Sequence, residues 1–438
     1  MRLTRTGIYA ASGVCGVVAY FLLLILPKAG ERIDWRASPD LTLYQTLGAA
    51  FFIVLNFAWT RDGIARNDMF RLSTLTDKLL LAFFAFALFD ATLSVVPLRS
   101  VQYVIVTFLV FAAATHVWRI PDAWRQSAFA FLLIAINVFC FANLYLFGIG
   151  AGRYVGQMSP NHFADILLTA VMLGYLSGRR YVWVFVLAAY ACIYVVGSRG
   201  SFASLTTFLA LYYGLRWAAQ PFSRRVRLFY VGFAAVGLMI AYSLYDNSWF
   251  DSDYLTSFLA WNDAGRGMAD LSGRLYLWDE ALRRLRESPL IGYGFRTSMI
   301  LTNSHNAFLN LATEVGIPAT VLLVFTVLFE GIRKARFSFR HAVVGELPAN
   351  EARIVAAIVA AVLVNAMVEV HLVNVGFPLP LLFIIALSDW RFDVARRARS
   401  AAVARAYSVP LGWSLDPSAA AVAAASSEFR TDKTALAS

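Results

Sequence analysis

Residues 181–217 read YVWVFVLAAYACIYVVGSRGSFASLTTFLALYYGLRW. Two apolar runs, 181–196 and 201–217, are separated only by Gly197, Ser198, Arg199 and Gly200. Each run approaches the ~20 residues that cross a bilayer as a helix. A helix pair in water would bury one stripe and show polar residues on the other face; the polar positions here are too few for a wetted face. The stretch reads as two membrane helices joined by a tight turn that carries one arginine.

The same pattern recurs outward in both directions. Apolar runs at 7–26, 41–59, 78–96, 101–117, 127–147, 162–177, 181–196, 201–217, 226–244, 317–330, 354–372 and 375–387 make twelve candidate spans. Of the 438 residues, 59% are hydrophobic and 15% charged, and the mean hydropathy is +0.63. Soluble domains carry roughly 45–50% apolar and about 25% charged residues, so a soluble globular protein is excluded. The expected fold class is all-α: a polytopic membrane protein of about twelve transmembrane helices with one long helical periplasmic loop. Residues 1–244 hold helices one to nine, 245–304 the loop, 305–390 helices ten to twelve, and 391–438 a tail that begins basic and becomes alanine- and serine-rich.

Charge placement sets the orientation. With Arg2 and Arg5 on the cytoplasmic side, alternate connections and the tail put 26 of the 38 Lys and Arg residues on that side and 12 on the other. The positive-inside bias then places both termini in the cytoplasm. The first run is followed by Pro27, Lys28 and Ala29 without a small-residue cleavage pattern, and reads as a retained span. The net charge of +11 thus follows from topology, not from a nucleic-acid partner.

Several chemistries are disfavoured. Cys15, Cys140 and Cys192 lie in apolar runs, which argues against a disulfide framework or a zinc site. The five histidines show no metal-ligand spacing, and there is no phosphate loop, nucleophile elbow or dinucleotide fingerprint. Asp251 and Asp253 form an Asp-x-Asp that reads as a solvated turn. No metal and no cofactor are expected.

Three residues stand out. Arg199 is a cation at membrane depth with almost no loop to solvate it, a functional signal by default; its competing role is a cap or topological anchor. Arg274 opens an amphipathic helix running from Ser272, a plausible N-cap, to Glu287, with Leu275, Trp278, Leu282 and Leu285 on one face and Asp279, Glu280, Arg283, Arg284 and Arg286 largely opposite. A guanidinium beside free helix N–H groups suits an anion. His305 lies where the loop returns to the membrane, and an imidazole is the side chain best suited to accept a proton near neutral pH, provided its other nitrogen has an orienting partner. Arg153, Asn161, His162 and Asn306 are secondary candidates; His116, His341 and His371 are weaker.

Pro160-Asn161-His162, Gly197-Ser198-Arg199-Gly200, Gly273-Arg274-Leu275 with Trp278, Gly292-Tyr293-Gly294, and His305-Asn306 followed by Gly316 occur in that order. Together they resemble the O-antigen ligase and polymerase superfamily of the bacterial envelope, most clearly over residues 154–327. In the ligase branch a histidine and a small polar residue are followed after nine positions by a glycine, and after two more by a small or aromatic residue, a spacing that His305, Asn306, Gly316 and position 319 fit. Ala319 occupies that place here instead of glycine, threonine or tyrosine, which leaves ligase and polymerase both open.

The resemblance implies a GT-C-like membrane glycosyltransferase of the inner membrane. Its reaction would move polysaccharide from undecaprenyl pyrophosphate to a sugar hydroxyl of lipid A–core at the periplasmic face, inverting the anomeric centre without a metal. It also implies His305 as catalytic base and Arg199 and Arg274 as pyrophosphate ligands. The alternatives are an O-antigen or exopolysaccharide polymerase of the same superfamily, or, from another class, a flippase for lipid-linked sugars.

Overall fold

Backbone amides and carbonyls have no water to bond in hydrocarbon, so an apolar chain there closes its hydrogen bonds within helices. The computed structural model describes residues 5–25, 43–57, 74–147, 149–150, 153–154, 159–218, 274–297, 303–340, 347–369 and 372–388. These residues belong to one unit of the chain, Met1–Ser388; the second unit, Asp389–Ser438, lies outside the described residues.

The helices are α1 Arg5–Ile25, α2 Leu43–Phe57, α3 Leu75–Thr92, α4 Pro97–Val117, α5 Asp122–Phe147, α6 Pro160–Leu176, α7 Val182–Val196, α8 Arg199–Ala218, α9 Arg274–Glu287, α10 Ala307–Arg340, α11 Leu347–Ala366 and α12 Pro378–Leu387. A two-residue antiparallel ribbon, β1 Ile149–Gly150 with β2 Arg153–Tyr154, joins α5 to α6 and is the one departure from the all-α expectation among the described residues. Among the described residues, five helical stretches are long and apolar enough to cross a membrane: Ile8–Ile25, Pro97–Val117, Asp122–Leu146, Ala307–Ser338 and Ala349–Ala366. The expected span at 226–244 lies outside the described residues.

Two expected spans take a different form. The run at 375–387 folds as α12, ten residues that are buried on every side. At ~1.5 Å per residue it is about half the thickness of a bilayer. It sits against α1, α4, α6 and α11 as a core helix, a form that a uniformly apolar run does not distinguish from a lipid-facing span. Its carbonyl end is capped by other helices: the fully buried Lys334 ammonium donates to the Ala386 carbonyl at 2.8 Å and the Trp118 indole to that of Ile385 at 2.6 Å. A cation there also complements the helix dipole. Before it, Tyr20 and Gln45 donate to the carbonyls of Val375 and Gly376.

The run at 317–330 is the middle of α10, which is two helices meeting at Gly316 (φ +78°). Pro318 follows the break and has no N–H, so the Glu314 carbonyl loses its helical donor. Ile317 turns its own N–H to the Pro289 carbonyl, which frees the Thr313 carbonyl as well. The segment 289–297 fills both vacancies: Tyr293 N–H donates to Thr313 at 2.9 Å and Gly294 N–H to Glu314 at 2.8 Å. On its other side the Tyr293 carbonyl accepts from Val95 N–H at 3.1 Å and from the Ser94 hydroxyl at 2.9 Å, in the turn between α3 and α4. This clamp joins α9 to the membrane helices.

Glycine is required throughout the clamp by proximity. A Cβ on Gly292 would collide with the Glu314 backbone, one on Gly316 with the Leu290 carbonyl, and one on Gly294 (φ +111°) with the Ser94 hydroxyl. Gly178 (φ +68°) is a useful contrast, because the nearest atom to a Cβ there is 3.9 Å away. Gly178→Ala should cost only the ~1–2 kcal/mol of a left-handed backbone. Gly294→Ala adds a steric collision and should lower the unfolding temperature of the purified membrane protein clearly further. Equal shifts for the two variants would show that the clamp does not contribute to stability.

Candidate active site

The site is built around the turn that follows α11. Glu369 and Val368 close that turn by donating their N–H groups to the Asn365 carbonyl, at 2.9 and 3.0 Å. The Val368 carbonyl accepts Arg274 Nη1 at 2.5 Å, and Glu369 Oε1 lies 3.5 Å from Arg274 Nη2. The same Oε1 accepts Asn161 Nδ2 at 2.6 Å. With 7% of the Glu369 side chain and 19% of that of Arg274 exposed, this pair is sheltered from water and not a screened surface ion pair.

Arg199 reaches the same turn through its neighbour. Gly197 ends α7 in the left-handed conformation, φ +76°, and Ser198 leads directly into α8 with Arg199 as the first residue. Gly200 packs so closely on Val368 that a Cβ there would come within 2.7 Å of Cγ2. One helical turn deeper, the Asp165 carboxylate accepts Ser201 Oγ at 2.8 Å and Asn365 Nδ2 at 2.7 Å. Asn161 and Asp165 stand four apart on α6, as do Asn365 and Glu369 along the other strand of the contact, so two polar rungs fasten α6 to α11 and its turn.

His305 is presented by a knot of polar side chains. Trp278 of α9 donates to the Ser304 carbonyl at 2.8 Å; Asn310 accepts from Ser304 N–H and Oγ at 3.0 and 2.7 Å; Asn303 accepts from His305 N–H at 3.1 Å. His305 itself adopts φ +49°. Its Nδ1 is buried and has no hydrogen-bond partner among the described residues, so the orienting partner expected for that nitrogen is not found there. Burial, and secondly the positive charge of Arg274, push the imidazole pKa down to about 4. The ring is therefore neutral at pH 7, with its lone pair available.

The secondary candidates divide. Asn161 joins the site through Glu369. His162 is engaged elsewhere: Nδ1 is 2.6 Å from the Ser159 hydroxyl, the N-cap of α6, and the ring stacks on Phe377 with centroids 4.7 Å apart. Asn306 caps α10, its Oδ1 accepting from Phe308 and Leu309 N–H at 3.0 and 3.1 Å. Arg153 lies in β2, which adjoins α7, and its side chain is outside the described residues. Asp251, Asp253, His341 and His371 also lie outside them, while His116 is a core residue set edge-on to Phe57.

The amphipathic helix is turned from its expected orientation. Ala281 is its buried residue and Trp278 is half-buried, whereas Leu275 and Leu282 are exposed; Ser272, the expected cap, is outside the described residues. On its outer side Arg283 and Arg284 pair with Glu280, holding that carboxyl down to about 2. Among the described residues no group of three metal-binding side chains occurs. Glu369 was not singled out from sequence, although a lone acid in an apolar run is the kind of signal that marked Arg199.

Residues 183–324 match the family model described as O-antigen ligase. That segment contains Arg199, Arg274 and His305, while Asn161 and Glu369 fall outside it. No curated protein matches the chain. The match runs from α7 through α8 and α9 into the first part of α10 and contains the ordered motifs from Gly197 to Gly316, so over this segment, about a third of the chain, the protein is similar to the O-antigen ligase family.

Proposed function

We propose that the chain is an O-antigen ligase, which transfers polysaccharide from undecaprenyl pyrophosphate to a sugar hydroxyl of lipid A–core. In this reading it is a polytopic protein of the bacterial inner membrane, with both termini cytoplasmic and the loop 245–304 periplasmic, as the distribution of Lys and Arg favours. The observation that carries the reading is the approach of Arg274 to His305, close enough for the guanidinium to oppose protonation of the ring. The Gly200 contact on Val368 brings the Arg199 turn to the same place.

The step is a single displacement. The acceptor hydroxyl attacks the anomeric carbon, its proton passes to His305, the carbon–oxygen bond to the pyrophosphate breaks, and undecaprenyl pyrophosphate leaves with the bonding pair. Pyrophosphate is a weak base, so its departure needs neutralising charge more than a proton, and Arg199 and Arg274 supply two fixed cations. Donor binding also alters the base. The pyrophosphate offsets the Arg274 charge that depresses His305, so basicity rises only when substrate is present.

The closest second reading, a polymerase of the same superfamily, is favoured by one feature, Ala319 at the position where the ligase branch differs. Both use the same donor. Deleting a ligase leaves long lipid-linked polymer unattached, whereas deleting a polymerase leaves single repeats.

His305→Ala should lower transfer by ~10²- to 10⁴-fold with the protein still inserted; near-normal turnover would remove it as the base. Arg199→Ala and Arg274→Ala should each lower kcat/KM for the donor about 10- to 100-fold, the equivalent of a charge-assisted hydrogen bond. Wild-type rates for both would place the anion site elsewhere. Because the free histidine must be neutral to act, kcat/KM should be level near neutrality and fall as pH drops toward about 4. The acid limb of kcat, which reports the donor complex, should lie at higher pH; coincident limbs would argue against coupling between donor and base.

A further inference from the structure

The clamp carries another arginine, Arg296 (φ +68°), onto the start of α4, whereas Arg274 contacts the turn after α11. There Arg296 and Arg99 both approach the ring of Tyr103, with guanidinium carbons 5.1 and 5.7 Å from its centroid. A ring face offsets part of the cost of burying a charge, and here two cations share one ring. Burial and then Arg99 disfavour the charged form of Arg296, opposed by Tyr103 and Glu314. Among the described residues no carboxylate comes within 4.0 Å of Arg296, so Glu314 acts from farther off, and it lies beside a second acid, Asp90. Arg296 Nε is buried without an acceptor.

A buried cationic N–H without an acceptor is costly, more so than a neutral one. The surroundings suggest what supplies the acceptor. Leu93 and Val95 in the turn before α4, Leu98 in the first turn of α4, and Leu290 of the clamp are all exposed, Leu98 by 85%. Apolar side chains facing outward around a pair of guanidinium groups suit a ligand with acyl chains in hydrocarbon and a phosphate at the interface.

We propose that Arg99 and Arg296, gathered on Tyr103, bind the phosphate group of an amphiphile at the outer end of α4, as a site additional to the one formed by Arg199, Arg274 and His305. The phosphate comes either from bulk anionic phospholipid or from a phosphorylated glycolipid, the class to which the proposed acceptor belongs. The site is defined by binding, so it does not require the proposed transfer reaction to be right.

The test uses the full-length protein in phosphatidylcholine nanodiscs, titrated with diphosphoryl lipid A, with the same lipid after removal of its phosphates, and with phosphatidylglycerol. Wild type should bind the phosphorylated lipid A at least ~10-fold more tightly than the dephosphorylated form, about the strength of one charge-assisted contact. The double variant Arg99→Gln with Arg296→Gln should lose that preference, and Arg274→Gln should keep it. Equal competition by phosphatidylglycerol identifies a general headgroup site, and its failure to compete identifies a glycolipid site. If wild type shows no preference, or the preference survives in the double variant, or it disappears with Arg274→Gln alone, the proposal is overturned. Arg296→Lys keeps the charge but not the planar fork, and should retain an intermediate preference in a protein that unfolds at the wild-type temperature; a full preference there would also count against the site.

Discussion

The turn at Val368 and Glu369 fixes the geometry on which the rest of the site depends. A guanidinium at the edge of a membrane domain needs acceptors, and those near Arg274 are one backbone carbonyl and one carboxylate on adjacent residues. The consequence is mutual. Arg274 ties α9 to the end of α11, Asn161 ties α6 to the same carboxylate, and Gly200 lets α8 close onto Val368. A carboxylate 3.5 Å away is a loose partner for one guanidinium nitrogen. It steers the fork and neutralises part of its charge without the short bidentate geometry of a closed ion pair, which suits the proposed role of Arg274 as a phosphate ligand.

The clamp at 289–297 does for His305 what the turn does for Arg274. The break at Gly316, which turns Ile317 N–H away, and the proline two residues after it leave two carbonyls without helical donors, and the clamp supplies both. It positions the short first part of α10, on which Asn310 and the Asn306 cap hold the His305 loop. The glycines at 292, 294 and 316 thus matter for the placement of His305 at a distance, because each allows a backbone approach that any side chain would prevent.

Much of this was readable from residue order. The boundaries of α1 to α8 follow the apolar runs, and a lone arginine in a tight turn, an arginine at a helix start and a histidine at a re-entry all come to one region or its close surroundings. What was not readable depends on pairings remote in sequence. Glu369 is 95 residues beyond Arg274 and 208 beyond Asn161, so no spacing rule joins them. Asn306 and His162 look like chemical groups in a motif, yet local bonds to the backbone and to Ser159 occupy them. Apolarity reports exclusion from water and not what excludes it, which is why buried α12 reads like a lipid-facing span, and why the exposed Leu275 and Leu282 read like core.

The electrostatics of the site follow from one ordering of charges. A base buried beside a cation is weak, and in a soluble enzyme that would be a defect to be relieved by a carboxylate on its second nitrogen. Here the described residues offer Nδ1 no such partner, and the carboxylate nearest the cation is turned to Asn161. In the proposed transfer, a substrate carrying its own negative charge would complete the set: it would satisfy the arginine, lift the penalty on the imidazolium, and bring the reacting carbon in the same event. A site working in this way would keep its base neutral and idle until the phosphorylated lipid arrives, and would tie the proton transfer to the charge of the leaving group.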